Sequence, residues 1–262
     1  MFICPLFSGS KGNSTFIAND DTAILVDAGM SARSINDALG MLNAGYENIN
    51  AVLITHEHID HIRAISVISR RYDIPIYANE DTWAAILNMK SFNDIPIKNR
   101  ILFSGDFYVG SIAISPFKIS HDAADPVGYS LFSKNRKAVV ATDTGYFTKE
   151  ALSAASGADA CVIESNHDVH MLENGPYPVS LKNRILSRKG HLSNDDSSRA
   201  LISIIQSGCT NFSLAHLSHD NNTPEAAFDC ASKAAESLGA RVGRDVKIHV
   251  APQFGPGDAI IV

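Results

Sequence analysis

Short runs of β-branched and apolar residues recur along the whole chain, and polar segments separate them. Runs of about four to eight such residues are typical of buried strands. The polar segment 134–137 lies between two runs and predicts a hairpin with a four-residue turn. The pattern predicts strands at 23–26, 51–55, 74–77, 112–119, 129–132, 138–142, 160–163, 212–216 and 246–250.

Helical patterns lie between the strands. Isoleucines three residues apart within 62–68 predict a helix, and Asn194 predicts the cap of a helix that ends at Gly208. Thr-Pro-Glu at 223–225 opens another helix, which ends near Gly239. Strands dominate both halves of the chain. This arrangement favours sheets packed face to face with helices outside over a strictly alternating parallel sheet.

Composition narrows the class of protein. The chain has 262 residues, of which 45% are hydrophobic and 19% charged, and a formal net charge of −6. No linker-like segment or repeat divides it, so residues 1–262 are predicted to form a single domain. The four cysteines lack C-x-x-C spacing, which predicts reduced thiols. Neither a signal-peptide pattern nor an apolar run of roughly 18 residues is present, so we expect a cytoplasmic protein without a membrane partner.

The densest group of metal-ligating side chains is Thr-His-Glu-His-Ile-Asp-His at 55–61, at the end of a predicted strand. In an extended segment, residues two apart project to the same side, so His56 and His58 can bind one metal ion. If a helix begins near residue 59, Asp60 and His61 lie in its first turn and can reach a second ion. Three imidazoles crowded together favour a metal site over a solvated turn, because they would repel each other when protonated.

A two-metal site needs further ligands from distant positions. His121, Asp143 and His216 each lie at or just after the end of a predicted strand. A lone residue of this kind more often has a structural role, but the motif at 55–61 makes a ligand role the favoured interpretation. An anionic bridge is expected between two divalent ions, and Asp143, in a Thr-Asp-Thr-Gly turn, is the candidate.

These residues resemble the motif of the metallo-β-lactamase fold superfamily, H-x-H-x-D-H followed by His, Asp and His in that order. The resemblance implies an αββα sandwich, in which two packed mixed sheets are flanked by helices, and two divalent ions as cofactors: zinc, manganese or iron. Asp27 matches an early aspartate that supports the family's site, although the local sequence fits a turn aspartate equally well. The implied ligands are His56, His58 and His121 for one ion, Asp60, His61 and His216 for the other, and Asp143 between them.

A narrower resemblance concerns substrate. Glu164 and His191 resemble an acid and a histidine that RNase Z and the β-CASP nucleases place beside their metals. Segments at 9–15, 120–129, 164–168, 177–194 and 216–225 look like the YycJ/WalJ group of bacterial exonucleases. The chain shows neither the inserted β-CASP domain nor the basic arm of many RNase Z proteins. The resemblance therefore implies a two-metal phosphodiesterase, a 5′-to-3′ exonuclease whose partner is nucleic acid at DNA ends.

The expected catalytic residues are Asp60, Glu164 and His191. Two ions about 3.5–4 Å apart lower the pKa of a bridging water, give hydroxide near neutral pH and neutralise phosphoryl oxygens. His191 would then donate a hydrogen bond to a phosphoryl oxygen or protonate the leaving oxygen, while Glu164 orients or charges the imidazole. A plain helix-entry role for His191 stays open, because Asn194 is able to cap that helix without it.

Substrate contacts are predicted in two loops. The loop with Ser10, Asn13 and Ser14 either cradles a terminal phosphate with its backbone N–H groups or is a flexible turn between strands. His219, Asn221 and Asn222 follow the strand that carries His216, although the two asparagines also fit a simple approach to the helix at 223.

Four basic residues lie within 182–189, just before His191. They fit contacts with a nucleic-acid backbone, although a solvated helix face is the usual place for such residues. The main alternative function is a small-molecule metallohydrolase, such as a cyclic phosphodiesterase, lactonase or thioesterase. An iron-based redox protein is disfavoured because that branch typically has a carboxylate in place of His58. A scaffold without activity is disfavoured because no ligand position is missing.

Overall fold

The computed structural model describes residues 1–262 and contains two seven-stranded sheets. Strands β3 to β6 are mutually parallel, as are β10 to β13, and the other neighbours pair antiparallel. The first sheet contains, in spatial order, β14 (Ile260–Ile261), β1 (Phe2–Phe7), β2 (Ser14–Ala18), β3 (Ala23–Val26), β4 (Ala51–Leu53), β5 (Ile76–Ala78) and β6 (Arg100–Leu102). The second contains β13 (Lys247–Val250), β12 (Asn211–Ala215), β11 (Ala160–Glu164), β10 (Arg136–Ala141), β9 (Val127–Ser133), β8 (Ile112–Lys118) and β7 (Phe107–Val109).

Nine α-helices and three short 3-10 turns connect these strands. None of the helices is long and apolar enough to cross a bilayer. The helices are α1 (Ala32–Met41), α2 (Ile59–Ile62), α3 (Ile65–Tyr72), α4 (Glu80–Asn88), α5 (Lys149–Ala155), α6 (Val169–Asn174), α7 (Val179–Ile185), α8 (Asn194–Gln206) and α9 (Pro224–Ser237).

Three buried apolar cores define four layers. The central core contains residues from both sheets, such as Ile24 and Val140, so the sheets pack face to face. Leu25 points the opposite way from Ile24, because successive strand residues alternate between faces, and it packs with Ile65 of α3 in the first outer core. The second outer core joins the other sheet to α5, α8 and α9. The predicted sandwich of two mixed sheets flanked by helices is confirmed.

Several predicted elements need correction. The hairpin turn has two residues rather than four, because Ser133 pairs directly with Arg136. Strand β5 begins at Ile76, two residues later than the predicted segment 74–77. Strands β1, β2, β6, β7 and β14 were not predicted. Pro5 weakens the strand pattern of β1, because proline is unusual inside a strand. The structure places Pro5 where the pairing of β1 with β2 is irregular, between Pro5 and Phe7.

The cap of α8 was also placed one residue too late. The Ser193 hydroxyl accepts the amide of Asp196 at 3.0 Å and is the true cap. Asn194 is buried, and its amide group instead accepts from Ser165 Oγ at 2.7 Å and exchanges hydrogen bonds of 2.9 Å with Asn222. The Asn194 side chain therefore joins the loop after β11 to the loop after β12.

Candidate metal centre

All seven predicted ligands lie at one edge of the two sheets. The carboxyl ends of parallel strands meet at such an edge, so segments far apart in sequence converge there. His56, His58, Asp60 and His61 follow β4 and enter α2, His121 lies between β8 and β9, Asp143 follows β10, and His216 follows β12.

The ligands form two groups with a carboxylate between them. Asp143 Oδ2 lies 3.2 Å from His61 Nε2, and Asp143 Oδ1 lies 3.3 Å from His216 Nε2 and 3.9 Å from His121 Nε2. The ligand atoms lie within 4.8 Å of one another in each of two groups, His56 with His58 and His121, and Asp60 with His61 and His216. The structure thus brings together both predicted ligand sets.

Three residues of the centre adopt a left-handed backbone conformation. The φ angles are 63° at Asp27, 57° at Asp143 and 57° at His216. Each follows a strand end directly or by two residues, so the conformation turns the chain sharply and leaves the side chain at the sheet edge. Such angles cost free energy outside glycine and are sustained only where the surroundings hold them. The amide of His216, for example, donates to Ser8 Oγ at 2.6 Å.

Four of the five ligand histidines are held through the ring nitrogen that does not face the centre. An Nδ1–H group that donates to a fixed acceptor orients the ring and leaves Nε2 free as a ligand. The pairs are His56 with Thr55 Oγ1 at 3.0 Å, His61 with Asp27 Oδ2 at 2.8 Å, His121 with the Gly190 carbonyl at 3.1 Å, and His216 with Glu164 Oε1 at 3.2 Å.

Asp27 therefore acts through His61 and Thr55. Its Oδ1 accepts the Thr55 amide at 2.9 Å, and its Oδ2 accepts the Thr55 hydroxyl at 2.8 Å. The same hydroxyl is then positioned to accept from His56. One buried carboxylate thus fixes two ligand rings, which agrees with the supporting role that the resemblance implied for Asp27.

Three buried atoms at the centre have no hydrogen-bond partner: His56 Nε2, His216 Nε2 and Asp143 Oδ2. An unsatisfied buried polar atom costs about 1–3 kcal/mol. Divalent cations would satisfy these atoms, because imidazole nitrogens and carboxylate oxygens are their usual ligands, and His56 and His216 belong to different ligand groups. These residues fit a divalent metal site.

Charge compensation within the centre is strong. Burial by itself raises the pKa of Asp143, but the nearby charges of His216 and His61 outweigh burial and hold that pKa well below its usual range. Burial by itself lowers the pKa of His216, but Asp143, Asp60 and Glu164 raise it to about 10. In the metal-free protein these carboxylates therefore retain their charge, and His216 retains a proton.

The remaining histidines differ in charge. Burial lowers the pKa of His61 too, but Asp143, Asp27 and Asp60 more than reverse this effect and raise the pKa well above its usual value. Burial dominates at His56 and His121, whose pKa values are lowered. Those two rings are therefore neutral near pH 7, the form in which imidazole binds a metal.

Zinc binding to metal-free protein at pH 7.5 is expected to release about two protons, because His61 and His216 must each lose one before Nε2 can bind a cation. The affinity for zinc should rise with pH until the pKa of His216, about 10, and fall as the pH is lowered. Calorimetric titration in buffers of different ionisation enthalpy measures the proton count. The exposed His170 offers a matched control, since His170→Ala should not change it. A count of zero would contradict His61 and His216 as ligands.

Glu164 is shared by His191 and His216. Its Oε1 lies 2.7 Å from His191 Nδ1 and 3.2 Å from His216 Nδ1, and its Oε2 accepts the Thr144 amide at 2.7 Å. Burial by itself raises the pKa of Glu164, but the charge of His191 and the hydrogen bonds with His191 and His216 lower it overall. Because Glu164 is completely buried, it orients the two imidazoles rather than contacting a substrate.

A cavity of about 300 Å³ opens beside the ligands. Its lining includes Arg184, whose Nε donates to Asp122 Oδ2 at 2.6 Å. Asp122 Oδ1 in turn lies 3.3 Å from His121 Nε2. A guanidinium group therefore stands at the rim of the centre. The lining residues relevant to chemistry are the candidate-site residues His58, Asp60, His121, Asp143, His191 and His216, together with Ser10, Asn166, Tyr177, Arg184 and Ser218.

The residues predicted to contact substrate divide into two sets. Ser10 is exposed and lines this cavity, and His219 is exposed and lines the neighbouring one. The other four, Asn13, Ser14, Asn221 and Asn222, are buried and line neither of these two cavities. Their positions favour a structural role over direct substrate contact.

Asn13 illustrates that role. Its Oδ1 accepts the amide of Gly9 at 2.9 Å, and its Nδ2 lies 3.0 Å from His61 Nε2 and 3.4 Å from Asp60 Oδ2. The side chain therefore joins the loop after β1 to two candidate ligands. Sequence reasoning found the residue but not these partners, because the packing of this loop against α2 is a tertiary contact.

Other contributors were not predicted. The Gly190 carbonyl holds His121, and the Thr55 hydroxyl holds His56. Asn166 donates to the backbone carbonyl of His216, and Tyr177 forms part of the cavity wall. The only available signals were the positions of Thr55 within 55–61 and of Asn166 and Tyr177 within segments resembling the exonuclease group. A main-chain acceptor such as Gly190 leaves no signal in a sequence.

The αββα sandwich and its His/Asp centre define a class of metal-binding hydrolase folds, and the chain belongs to the β-lactamase superfamily. The model described as "Beta-lactamase superfamily domain" matches residues 22–205. The chain is 41% identical to "Exodeoxyribonuclease YycJ" of Bacillus anthracis over 246 residues, 93% of this chain and 92% of that one. It is 38% identical to "Exodeoxyribonuclease WalJ" of Streptococcus pneumoniae, over 93% and 91%. The predicted resemblance is confirmed.

A solved structure supports the fold independently. The metallo-β-lactamase fold protein YhfI of Bacillus subtilis superimposes with a TM-score of 0.73, covering 99% of each chain at 16% sequence identity. At that identity the likeness concerns architecture alone. The fold and the family of the chain are thereby established.

Proposed function

We propose that this chain is a metal-dependent exodeoxyribonuclease that hydrolyses DNA from the 5′ end. The observation that carries the proposal is the imidazole of His191 beside Asp143 and His216, held by the same Glu164 that holds His216. A fold alone does not fix a reaction. The two relatives above, which are named exodeoxyribonucleases, match more than nine-tenths of this chain and support the phosphodiester substrate.

Two divalent ions are assigned to the centre. His56, His58 and His121 would hold one, Asp60, His61 and His216 the other, and Asp143 would contact both. When bound, such ions supply a water of lowered pKa and offset the negative charge of phosphoryl oxygens. Nitrogen and carboxylate ligands suit zinc, manganese and iron, and availability as much as affinity decides which is bound.

His191 and Arg184 act on the substrate directly in this proposal. With Nδ1–H donating to Glu164, His191 keeps Nε2 for a phosphoryl oxygen or the leaving oxygen, and a protonated ring donates there. Arg184, which lines the same cavity, attracts the phosphate. Its pairing with Asp122 holds the guanidinium in place until substrate arrives.

The local charge also suits nucleic acid, although the net charge of the chain is −6. The segment 182–189 carries Arg184 in the cavity wall and exposes Arg188 and Lys189. These side chains would contact a DNA backbone without reading bases, so turnover should weaken as salt is raised. We also propose that residues 1–262 act as one domain, which the core shared by the two sheets supports.

The test compares DNA substrates of identical sequence. Metal-depleted protein reloaded with manganese or zinc is given linear duplexes labelled at the 5′ or the 3′ end, and covalently closed circles. We expect early release of the 5′ label as a mononucleotide and intact circles. A panel of a cyclic phosphodiester, a lactone and a thioester is run in parallel.

The outcomes separate the candidate activities. Rapid nicking of closed circles would contradict an exonuclease, and early release of the 3′ label would contradict the polarity. Inactivity on all polynucleotides together with hydrolysis of one of the small substrates would replace the proposal with a small-molecule metallohydrolase.

A further inference from the structure

A second cavity adjoins the metal-centre cavity, with a volume of about 150 Å³. Ser10 and Tyr177 line both cavities, so the two are direct neighbours. Pockets for whole small molecules usually measure about 300–1,000 Å³. The second cavity therefore suits a single small group attached to something larger that lies in the first.

The loop that borders this cavity has donors to spare. The Gly9 carbonyl accepts the Gly12 amide at 2.9 Å, which places Ser10 and Lys11 at the corner of a turn. Neither the amides of Ser10 and Lys11 nor the Ser10 hydroxyl makes a hydrogen bond in the structure, and the Lys11 ammonium group makes no ion pair. Free amides in a turn, a hydroxyl and a cation are the usual elements of an anion site.

This loop packs closely against the loop after β12. Gly9 has a φ of +146°, and a Cβ atom there would lie 3.3 Å from the Leu217 carbonyl, so the close packing of the two loops requires glycine. Asn13 Oδ1 holds the Gly9 amide, and Ser8 Oγ holds the amide of His216. These two hydrogen bonds connect the loop that borders the cavity to Asn13 and His216 at the metal centre.

The remaining charged side chains at this cavity, Asp220 and Lys11, each contact an aromatic or imidazole ring. Asp220 is the only acid there, and it accepts from Tyr177 Oη at 2.8 Å and pairs with His219 Nδ1 at 3.0 Å, so its charge is already engaged. Lys11 lies 5.6 Å from the ring centroid of the exposed Phe254, which restrains the ammonium group. His219 Nδ1 pairs with Asp220, so its Nε2 has no hydrogen-bond partner in the structure.

We propose that this second cavity, lined by Ser10, Lys11, Tyr177 and His219, binds the 5′-terminal phosphate of the DNA strand. The inference rests on the proposed function and adds the reason for end dependence. A terminal monoester carries more charge than an internal diester and has no nucleoside beyond it, so only a strand end both fills the cavity and places the next phosphate at the metal centre.

The test measures binding separately from turnover. The probes are thymidine dinucleotides joined by an uncleavable methylphosphonate linkage, with a 5′-phosphate, a 3′-phosphate or neither. For metal-loaded wild-type protein we expect calorimetry to show at least about tenfold tighter binding of the 5′-phosphorylated probe than of the unphosphorylated one, the scale of a charge-assisted hydrogen bond. Lys11→Met removes the charge and keeps the length, and should reduce that ratio to about twofold or less.

A lysine outside the site provides the control. Lys233 is exposed on α9, and Lys233→Met should keep the wild-type ratio. Equal affinity for all three probes, an unchanged ratio in Lys11→Met, or preference for the 3′-phosphate would overturn the inference. These affinities do not depend on cleavage, so failure of the nuclease assay above would remove the proposed function while the ratio still decides the subsite.

Discussion

Replacing Asp143 with alanine is expected to empty both metal positions and to lower DNA hydrolysis at least about 10³-fold, the upper range for loss of one preorganised electrostatic group. The Asp143 carboxylate contacts His61 Nε2 at 3.2 Å and His216 Nε2 at 3.3 Å, so both ligand groups lose their shared anion. Elemental analysis of purified protein measures metal content, and the rate on a linear 5′-phosphorylated duplex measures turnover.

A matched control keeps the interpretation sharp. Asp229 is exposed on α9 and has no hydrogen bond or ion pair, so Asp229→Ala should retain both metal and activity. Because the variant at Asp143 leaves protonated histidines without a counter-charge, its melting temperature is recorded as well. An Asp143→Ala protein that is folded and carries the wild-type metal content would refute the bridging assignment.

His191→Ala is expected to keep the metal and lose about 10²–10⁴ in rate, the usual contribution of a general acid or a preorganised donor. All seven assigned ligand positions stay filled in this variant. The loss should appear in kcat rather than KM, since the interaction is made chiefly in the transition state. The assay reports metal content, melting temperature and kinetics from one preparation.

His170→Ala controls for removal of an imidazole from the same region, since His170 is exposed on α6 and makes no side-chain hydrogen bond. Glu164→Gln provides a second comparison, because it keeps the volume while weakening the support of both His191 and His216. We expect that variant to lose metal affinity as well as rate, by about 10–100-fold. A His191→Ala protein with full metal and more than half the wild-type rate would assign His191 to the helix entry alone.

The densest part of the site could be predicted from sequence because it is local. His56, His58, Asp60 and His61 fall within six residues, and both the extended and the helical segments that carry them follow ordinary rules of side-chain direction. His121, Asp143 and His216 were recognised through their order along the chain. The sheet edge that unites them follows from topology, which no single segment contains.

What the sequence did not predict depends on contacts between distant loops. Asn13 and Asn222 are predicted substrate contacts because polar residues near a site suggest it, yet both are buried; Asn13 bonds to Asp60 in α2, and Asn222 bonds to Ser165 in the loop after β11. Asn194 has a side chain that often caps helices, but Ser193 caps α8, because the side-chain amide of Asn194 bonds to Ser165 and Asn222 instead. Short strands such as β6 and β7 have too few residues to show a period.

The division of ligands between the two sheets has a consequence for the life of the protein. Four ligands follow β4 of the first sheet, and three follow strands of the second, so bound ions cross-link the two halves of the sandwich. A ligand that binds only the folded state adds stability according to its free concentration. The abundance of folded protein in a cell would therefore follow the metal supply, and scarcity of metal would limit both turnover and resistance to proteolysis through a single equilibrium.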